Sequence, residues 1–248
     1  ADKPGPVTLN PDKAYVMVVS ATGFAMPTFM RLPNAEEAAK YAAERAEELA
    51  KEHAKWVKKF DSWEKQMESM KKMPSTVKRP ARPQEPTEEN FSFPQYEQVH
   101  SFLVGPQNRF SKVKESVWLQ EVPPGEYLFY GSGTLCACLG TASFSAPAGK
   151  VVALEFGLPF FEAWREAPKD QRPKTPFDLP KGTSSLRLGA STFTDSRLPE
   201  GSVIAPDFKP AGTRPNWFGQ EIDRLNPIPG VFEYQRDRQV DLKAKPAA

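Results

Sequence analysis

The clearest pattern of hydrophobic and polar positions in the chain lies between Asn34 and Lys72. Apolar side chains and one histidine recur there at gaps that alternate between four and three residues, and most other positions are charged or alanine. This spacing keeps one position per turn on a single helix face over about five heptads, as in a coiled coil. The positions of this seam are Ala35, Ala39, Ala42, Ala46, Leu49, His53, Trp56, Phe60, Trp63, Met67 and Met70.

Signals for the two ends of this helix stand at the expected places. Asn34 is a favourable N-cap residue, and Glu37 three positions later completes a capping box. Pro74 ends the helix, because proline cannot continue it. We therefore predict one helix of about 38 residues, about 57 Å long. Its second half carries Trp, Phe and Met side chains, so we expect another apolar surface to cover it.

A proline-rich segment, residues 74–95, follows the helix and offers such a cover. Pro80, Pro83 and Pro86 are three positions apart, which places them on one face of a polyproline II helix. At about 3.1 Å per residue the segment is long enough to return along the whole helix. We predict a projecting arm, residues 34–95, formed by an α-helix/polyproline hairpin. The alternatives are a flexible linker and a proline ligand for a partner's aromatic groove.

The rest of the chain has the pattern of a β-rich protein. Short apolar or alternating stretches bounded by Gly and Pro predict strands. Pro123-Pro124-Gly125 indicates a tight turn, and Pro147-Ala148-Gly149 indicates a hairpin turn. The predicted elements are strands over 14–20, 99–104, 115–122, 126–131, 141–146, 150–156 and 186–190, a connection over 21–33, and a short helix over 217–225.

The fold class that follows is mainly β with a long helical insertion. We expect a β-sandwich body from residues 1–33 and 96–190, with the helix and its proline-rich return, 34–95, inserted into it. Residues 191–248 alternate short apolar stretches with Pro and Gly, and they are rich in aromatic side chains. We expect them to form an extended C-terminal segment that packs on the body.

Part of the β-rich sequence resembles a known kind of domain. Residues 122–128 (VPPGEYL), 140–144 (GTASF) and 148–152 (AGKVV) are similar to segments of uncharacterised bacterial envelope domains of prealbumin-like β-sandwich type. In such domains a Pro-Gly-x-Tyr turn joins two strands, and an Ala-Gly turn precedes the next strand. The resemblance covers about residues 122–152. It implies a sandwich fold and a cell-envelope setting, and it implies no functional residues.

Composition and charge limit the possible functions. The formal net charge is +2 and acidic and basic residues are interspersed, so the basic stripe that nucleic-acid binding needs is missing. No apolar run approaches the roughly 18 residues of a transmembrane helix. The start at Ala1 is typical of a chain whose signal peptide has been removed, so we expect export, most simply to a bacterial periplasm. An artificial trimming of the chain gives the same start.

Residues that could carry catalysis or bind a metal are few. Cys136 and Cys138 are the only cysteines, and their i, i+2 spacing puts both on one face of an extended segment. Two buried structural residues, a strained disulfide, and a soft-metal or redox site remain open. His53 and His100 are the only histidines, and neither stands at a catalytic spacing from an acid or nucleophile. Phosphate-loop, dinucleotide-turn and zinc-protease motifs are absent, so we predict no enzymatic activity and no cofactor.

These features favour interaction over catalysis. We predict a non-enzymatic, exported structural or interaction protein, a subunit or accessory of a cell-envelope assembly, whose helical arm contacts a second copy or another protein, including a membrane protein. A small-ligand or carbohydrate-binding module is the alternative, and a metal or thiol site at Cys136 and Cys138 is a third hypothesis. The residues predicted to form the contact are Trp56, Phe60, Trp63, Met67, Met70, Pro80, Pro83 and Pro86, with a partner expected near the tip of the arm, at 67–80.

Overall fold

Two compact units make up the protein in the computed structural model. The strand unit comprises Ala1–Leu32 and Glu97–Ala248, and the helical unit comprises Pro33–Tyr96. The helical unit is therefore an insertion in a β-rich chain, as the sequence predicted. The structure describes residues 5–20, 26–74, 76–112, 116–133, 135–136, 141–174, 184–212, 214, 232–235 and 239–241.

Two sheets account for the strands found within those described residues. The first has eight strands in the order β14-β13-β10-β9-β1-β5-β4, with β11 also paired to β9. The second has six, in the order β12-β8-β6-β2-β3, with β7 also paired to β6. The strands are β1 Ala14–Ser20, β2 Pro27–Arg31, β3 Ser101–Leu103, β4 Arg109–Lys112, β5 Ser116–Val122, β6 Gly125–Ser132, β7 Leu135–Cys136, β8 Thr141–Ala146, β9 Val151–Gly157, β10 Ser184–Ala190, β11 Val203–Ile204, β12 Lys209–Gly212, β13 Phe232–Gln235 and β14 Gln239–Asp241.

The strand β1 lies inside the first sheet, antiparallel to β5 and parallel to β9. All seven of its residues are buried. Its alternate side chains belong to two different hydrophobic clusters, one on each face of the sheet. A strand that is covered on both faces needs a continuous apolar run, which is why this strand could be predicted with its correct bounds.

Two turns carry the chain from one sheet to the other. The first, at Pro123-Pro124-Gly125, joins β5 to β6, and the Tyr127 hydroxyl donates a hydrogen bond to the Pro123 carbonyl oxygen at 2.5 Å. The second, at Pro147-Ala148-Gly149, joins β8 to β9, with Gly149 at a φ of 71° that favours glycine. The second turn was predicted to close a hairpin. That detail is wrong, because β8 and β9 pair in different sheets.

The elements that the sequence pattern missed depend on pairing or packing with distant residues. The strand Pro27–Arg31 lies in the predicted connection and is held between β6 and β3. Pro27 is its first residue, where a missing N–H donor is tolerated. Helix α2, Tyr96–Val99, replaces the beginning of the predicted strand over 99–104. Helix α3, Pro159–Glu166, begins with proline at its first turn, a favourable position.

The C-terminal part also contains more regular structure than was expected. Strands β11 to β14 lie in the region predicted to be an extended segment, and strand β4 was not predicted either. These strands are two to four residues long, so they carry no recognisable period of their own. The helix predicted over 217–225 lies outside the described residues.

One buried cluster draws its side chains from both sheets. Phe29 from β2 is fully buried in it, and its ring centroid lies 5.6 Å from that of Phe144, 5.9 Å from Phe129 and 5.7 Å from Phe102. Trp118 from the first sheet belongs to the same cluster and is also fully buried. The Phe129 ring in the second sheet lies 5.9 Å from the Phe156 ring in β9 of the first, so the cluster joins the two sheets through an aromatic contact.

A second cluster covers the other face of the first sheet. Val7 and Phe193, which precede and follow the main strands in the chain, pack against it. The Arg197 guanidinium lies 4.2 Å from the centre of the Phe110 ring and forms a bidentate ion pair with Asp195, at 2.8 and 2.7 Å. This ion pair is the main reason that the pKa of Asp195 lies below its usual value. The contacts anchor residues 191–202 on the sheet.

The aromatic cluster gives the first prediction. Phe29→Ala should lower the free energy of unfolding by about 3–5 kcal/mol. The substitution leaves a cavity that the surrounding rings can fill only in part. Leu103→Ala, at a position that is 46% exposed, is the matched control and should change it little. Urea unfolding followed by circular dichroism measures both, and equal effects would contradict the assignment of Phe29 to the shared core.

The Asp195–Arg197 pair gives a prediction about pH. A carboxyl whose pKa is lowered by folding stabilises the folded state above its unfolded pKa, about 3.9, and this stabilisation is lost as the pH falls through the folded pKa. The unfolding free energy of the wild type should therefore fall more between pH 5 and pH 2 than that of Asp195→Asn. The exposed Asp170→Asn should follow the wild type, and a parallel decline in all three would refute the prediction.

Candidate interaction site on the helical unit

The long helix begins and ends close to where the sequence predicted. Helix α1 spans Ala35–Ser69, and a single 3-10 turn, Met70–Lys72, continues it. The Asn34 side chain accepts a hydrogen bond from the Glu37 backbone N–H at 2.8 Å, and the Glu37 carboxylate accepts one from the Asn34 N–H at 3.0 Å. The predicted capping box is confirmed. It fixes the first turn and therefore the direction of every side chain that follows.

A ladder of rings runs along the second half of the seam. Ring centroids are 5.2 Å apart between His53 and Trp56, 5.1 Å between Trp56 and Phe60, and 5.5 Å between Phe60 and Trp63. Residues three or four apart on a helix are neighbours on its surface, so the alternation of gaps brings each ring against the next. The four side chains form one continuous aromatic face.

The return segment, described over residues 76–95, runs back along the helix, and its residues 80–83 lie against this aromatic face. The Trp63 indole N–H donates to the Pro80 carbonyl oxygen at 3.1 Å, and the Trp56 indole N–H donates to the Pro83 carbonyl oxygen at 3.2 Å. The Arg82 guanidinium lies 5.1 Å from the centre of the Phe60 ring. Successive residues of the return segment therefore meet successively earlier residues of the helix, so the two segments run antiparallel.

Burial along the return segment repeats every third residue. Pro80, Pro83 and Pro86 are half-buried, whereas residues 81–82 and 84–85 between them are exposed. The three prolines thus share the side that faces the helix. The predicted contact residues Trp56, Phe60, Trp63 and Met67 are likewise half-buried, and Met70 is only 8% exposed. Within the chain these predicted residues are brought together and largely cover one another.

A second set of contacts near the start of the helix was missed by the sequence analysis. The Tyr41 ring lies 5.4 Å from the Phe93 ring, and the Tyr41 hydroxyl donates to the Pro94 carbonyl oxygen at 2.8 Å. Arg45 pairs with the Glu88 carboxylate and also lies 5.8 Å from the centre of the Phe91 ring. Tyr41 and Arg45 are large side chains four residues apart in an alanine-rich stretch, and this spacing is the sequence feature that indicates the contact.

The covered face of the helix therefore follows a different period from the predicted seam. In the first half the partly covered positions are 37, 41, 45 and 49, while the seam alanines 35, 39, 42 and 46 are exposed. From position 37 to 70 the covered positions recur about every 3.7 residues, close to the 3.6 of a straight helix. The predicted seam repeats every 3.5 residues, the period of supercoiled helices, so it gradually moves away from the covered positions. This helix is covered by a single extended segment and keeps the period of a straight helix.

The exposed faces of the helix carry ion pairs between residues one turn apart. Lys51 lies 2.7 Å from both Glu47 and Glu48, and Lys55 lies 2.6 Å from Glu52. Hydrogen bonds to Glu47, above all, and to Glu48 raise the pKa of Lys51. Hydrogen bonding to Lys51 lowers the pKa of Glu47. These side chains are solvated, so the ion pairs add little to the stability of the helix. Their main effect is to keep this face charged.

The other candidate residues do not assemble into a second site within the described part of the chain. Cys138 lies outside the described residues, and only the backbone of Cys136 is described, in strand β7. His100 belongs to the strand unit, whereas His53 belongs to the helical unit. No group of three His, Cys, Asp or Glu side chains able to hold a metal occurs among the described residues. The described helices include none that is both long and apolar enough to cross a membrane.

The aromatic side chains whose burial is described after residue 150 are all partly or fully buried. The Trp164 indole N–H donates to the Pro173 carbonyl oxygen at 2.8 Å, and the Arg172 guanidinium lies 4.9 Å from the centre of its rings. A cavity of about 430 Å³ in the strand unit has no aromatic side chain among the described residues that line it, and these offer no stacking surface of the kind that a sugar site uses. Its lining residues are Val7, Thr8, Leu9, Pro11, Gly149, Lys150, Pro199, Glu200 and Ser202.

No protein-family model, no curated protein and no solved structure matches this chain.

The indole hydrogen bonds give a prediction. Trp63→Phe keeps a ring in the ladder but removes the donor to the Pro80 carbonyl, so the return segment should be held more weakly by about 0.5–1.5 kcal/mol. Trp63→Ala also removes the ring and should cost about 3 kcal/mol. Hydrogen exchange of the backbone amides 53–67 of helix α1, which are hydrogen-bonded and lie beneath the return segment, measures the loss of protection. Val57→Ala, at a position 40% exposed, should leave exchange unchanged, and equal protection in all variants would disprove the role of Trp63.

Proposed function

We propose that this protein is a non-enzymatic structural or interaction protein of a bacterial cell envelope, and that the helical unit is its protein-binding element. One observation carries this proposal. The apolar face of the long helix is covered by the chain's own return segment, so the unit can hold its shape before any partner arrives. A preformed contact element loses less conformational entropy on binding than a segment that must first fold.

The return segment is proposed to follow a polyproline II path. Between the contact of Pro80 with Trp63 and that of Glu88 with Arg45, the return segment advances eight residues and the helix eighteen. Eighteen helical residues span about 27 Å, so each residue of the return segment spans about 3.4 Å. That is near the rise of about 3.1 Å in polyproline II and far from that of any compact helix.

The strand unit is proposed to be a β-sandwich of the prealbumin-like type that occurs in envelope domains. The buried cluster shared by both sheets and the two turns that pass between them support this proposal. An exported, periplasmic location belongs to the same proposal and is supported by the sequence resemblance over about residues 122–152. In this arrangement the strand unit is the scaffold from which the helical unit makes contacts.

Exposed apolar and basic side chains favour the turn of the helical unit as a contact region. Met73 is 48% exposed and Val77 is 38% exposed. Lys72, Lys78 and Arg79 beside them are exposed. Apolar side chains among charges of one sign are typical of a surface that becomes buried when a partner binds. We place the protein contact in this part of the unit, within residues 67–80.

The test of this proposal is site-specific photocrosslinking of the full-length protein in its native cells. Val77→p-benzoylphenylalanine and Lys72→p-benzoylphenylalanine should each give a defined protein adduct on irradiation, because a bound partner lies within reach of both positions. Glu200→p-benzoylphenylalanine, exposed in the strand unit, is the matched control and should give none. Adducts from Glu200 alone, or from none of the three positions, would refute the assignment of binding to the helical unit.

A further inference from the structure

The charges of the helical unit are separated along its length. The entry end, defined as residues 33–50 with 84–96, holds eight acidic and two basic side chains, a net charge of −6. The turn end, residues 51–83, holds ten basic and four acidic side chains, a net charge of +6. Contacts such as Arg45 with Glu88 and Trp63 with Pro80 place the helical and return parts of each end side by side. The unit as a whole is neutral, but its two ends carry opposite net charges.

The helix dipole does not account for this separation. Acidic residues favour the first turn of a helix and basic residues the last, but the effect fades within about one turn. Here the separation extends through the whole helix and into the return segment, which is not helical. Residues 76–83 of that segment carry three basic side chains beside the basic half of the helix, and residues 84–96 carry three acidic ones beside the acidic half.

At each end of the unit the helix and the return segment carry net charges of the same sign. The individual contacts between them, Arg45 with Glu88 and His53 with Glu85, join a basic to an acidic side chain, so the net charge of each end is what remains beyond these pairs. The remaining net charge of each end is balanced if the acidic end meets the basic end of another unit. The same molecule has both complementary surfaces, with equal and opposite net charge.

We propose that the helical unit binds the helical unit of a second copy of this chain, side by side and antiparallel. This inference rests on the proposed function and names the partner. An antiparallel pair has a two-fold axis, so each entry end lies beside the partner's turn end and the assembly closes as a dimer. The interaction is largely electrostatic, so it weakens as salt screens the charges.

The helix face opposite the covered one fits this pairing in detail. Its positions 36, 40, 43, 47, 50, 54, 58, 61, 65, 68 and 72 follow the helical period, and all are exposed. If the two-fold axis passes near Ala54, Glu36 of each copy lies opposite Lys72 of the other, and Lys40 lies opposite Glu68. Ala50 and Ala54 at the centre are small enough to let the two helices approach closely.

One pair in this arrangement is like-charged. Glu47 lies opposite Asp61, but Lys58 and Lys65 flank Asp61 on the same face and surround the pair with positive charge. An anionic membrane is the competing partner, since it would attract the turn end. It would leave the −6 of the entry end without a counter-charge, and this is why the observations favour a second copy.

The experiment is a charge exchange between two variants of the full-length protein. The first variant, Lys65→Glu with Lys72→Glu, lowers the net charge of the turn end from +6 to +2. The second, Glu36→Lys with Ala43→Lys, raises that of the entry end from −6 to −3 and places its new lysines opposite positions 72 and 65 of the partner. Sedimentation velocity at 50 mM salt should show a wild-type dimer. Each variant alone should dissociate at least tenfold more readily, and an equal mixture of the two should regain dimers.

Two controls accompany the exchange. Lys169→Glu with Lys209→Glu makes the same change in net charge as the first variant, but on the strand unit, and should leave the dimer intact. Circular dichroism should show equal helix content in all variants, so that a loss of dimers reports association and not unfolding. Raising the salt to 500 mM should dissociate the wild type, with the control variant dissociating in parallel.

The outcomes separate this inference from the proposed function. A monomeric wild type that still gives photocrosslinked adducts to a different protein would overturn self-association and leave the proposed function standing. A monomer that binds phosphatidylglycerol vesicles, with binding lost in the first variant, would replace the second copy by a membrane. Two reversed variants that stay monomeric when mixed would also overturn the antiparallel pairing.

Discussion

The helical unit depends on one constraint, which is how its long aromatic helix face is covered. The covering segment belongs to no helix or sheet, so its backbone groups have almost no regular hydrogen-bond partners. A proline has no N–H group, so packing it against an apolar face leaves only its carbonyl oxygen to satisfy. The indole of Trp is a donor without acceptor capacity. The hydrogen bonds from Trp63 to Pro80 and from Trp56 to Pro83 join these two needs. Cover and covered face therefore have matching chemistry.

This constraint also shapes what the unit can offer a partner. Because the aromatic side chains and the prolines are largely occupied with one another, the residues first expected to bind a partner form the interior of the unit. The surface left for binding is charged, and its net negative and net positive charge lie at opposite ends. Recognition by such a surface is governed by charge complementarity, which sets specificity and orientation more than it adds affinity.

The strand unit is held by a different principle. Its two sheets share a cluster in which Phe29 contacts three other rings, and the parallel pairing of β1 with β9 places the central strands under cover on both faces. A salt-bridged coil around Asp195 and Arg197 covers the far face. The strand unit gains its stability from non-local contacts, whereas the helical unit is built from contacts between two adjacent segments of the chain.

The sequence by itself determined the features with a local physical cause. Each of these features follows from residues that are close in the chain. They are the capping box at Asn34, the seam spacing that brings rings into contact, the apolar run of β1 and the shared face of the prolines three residues apart. Tertiary structure alone decided which helix face is covered near Tyr41 and Arg45. It also decided that Pro27–Arg31 is a strand and that Pro147-Ala148-Gly149 crosses between sheets. These outcomes depend on distant partners, whose position no local period encodes.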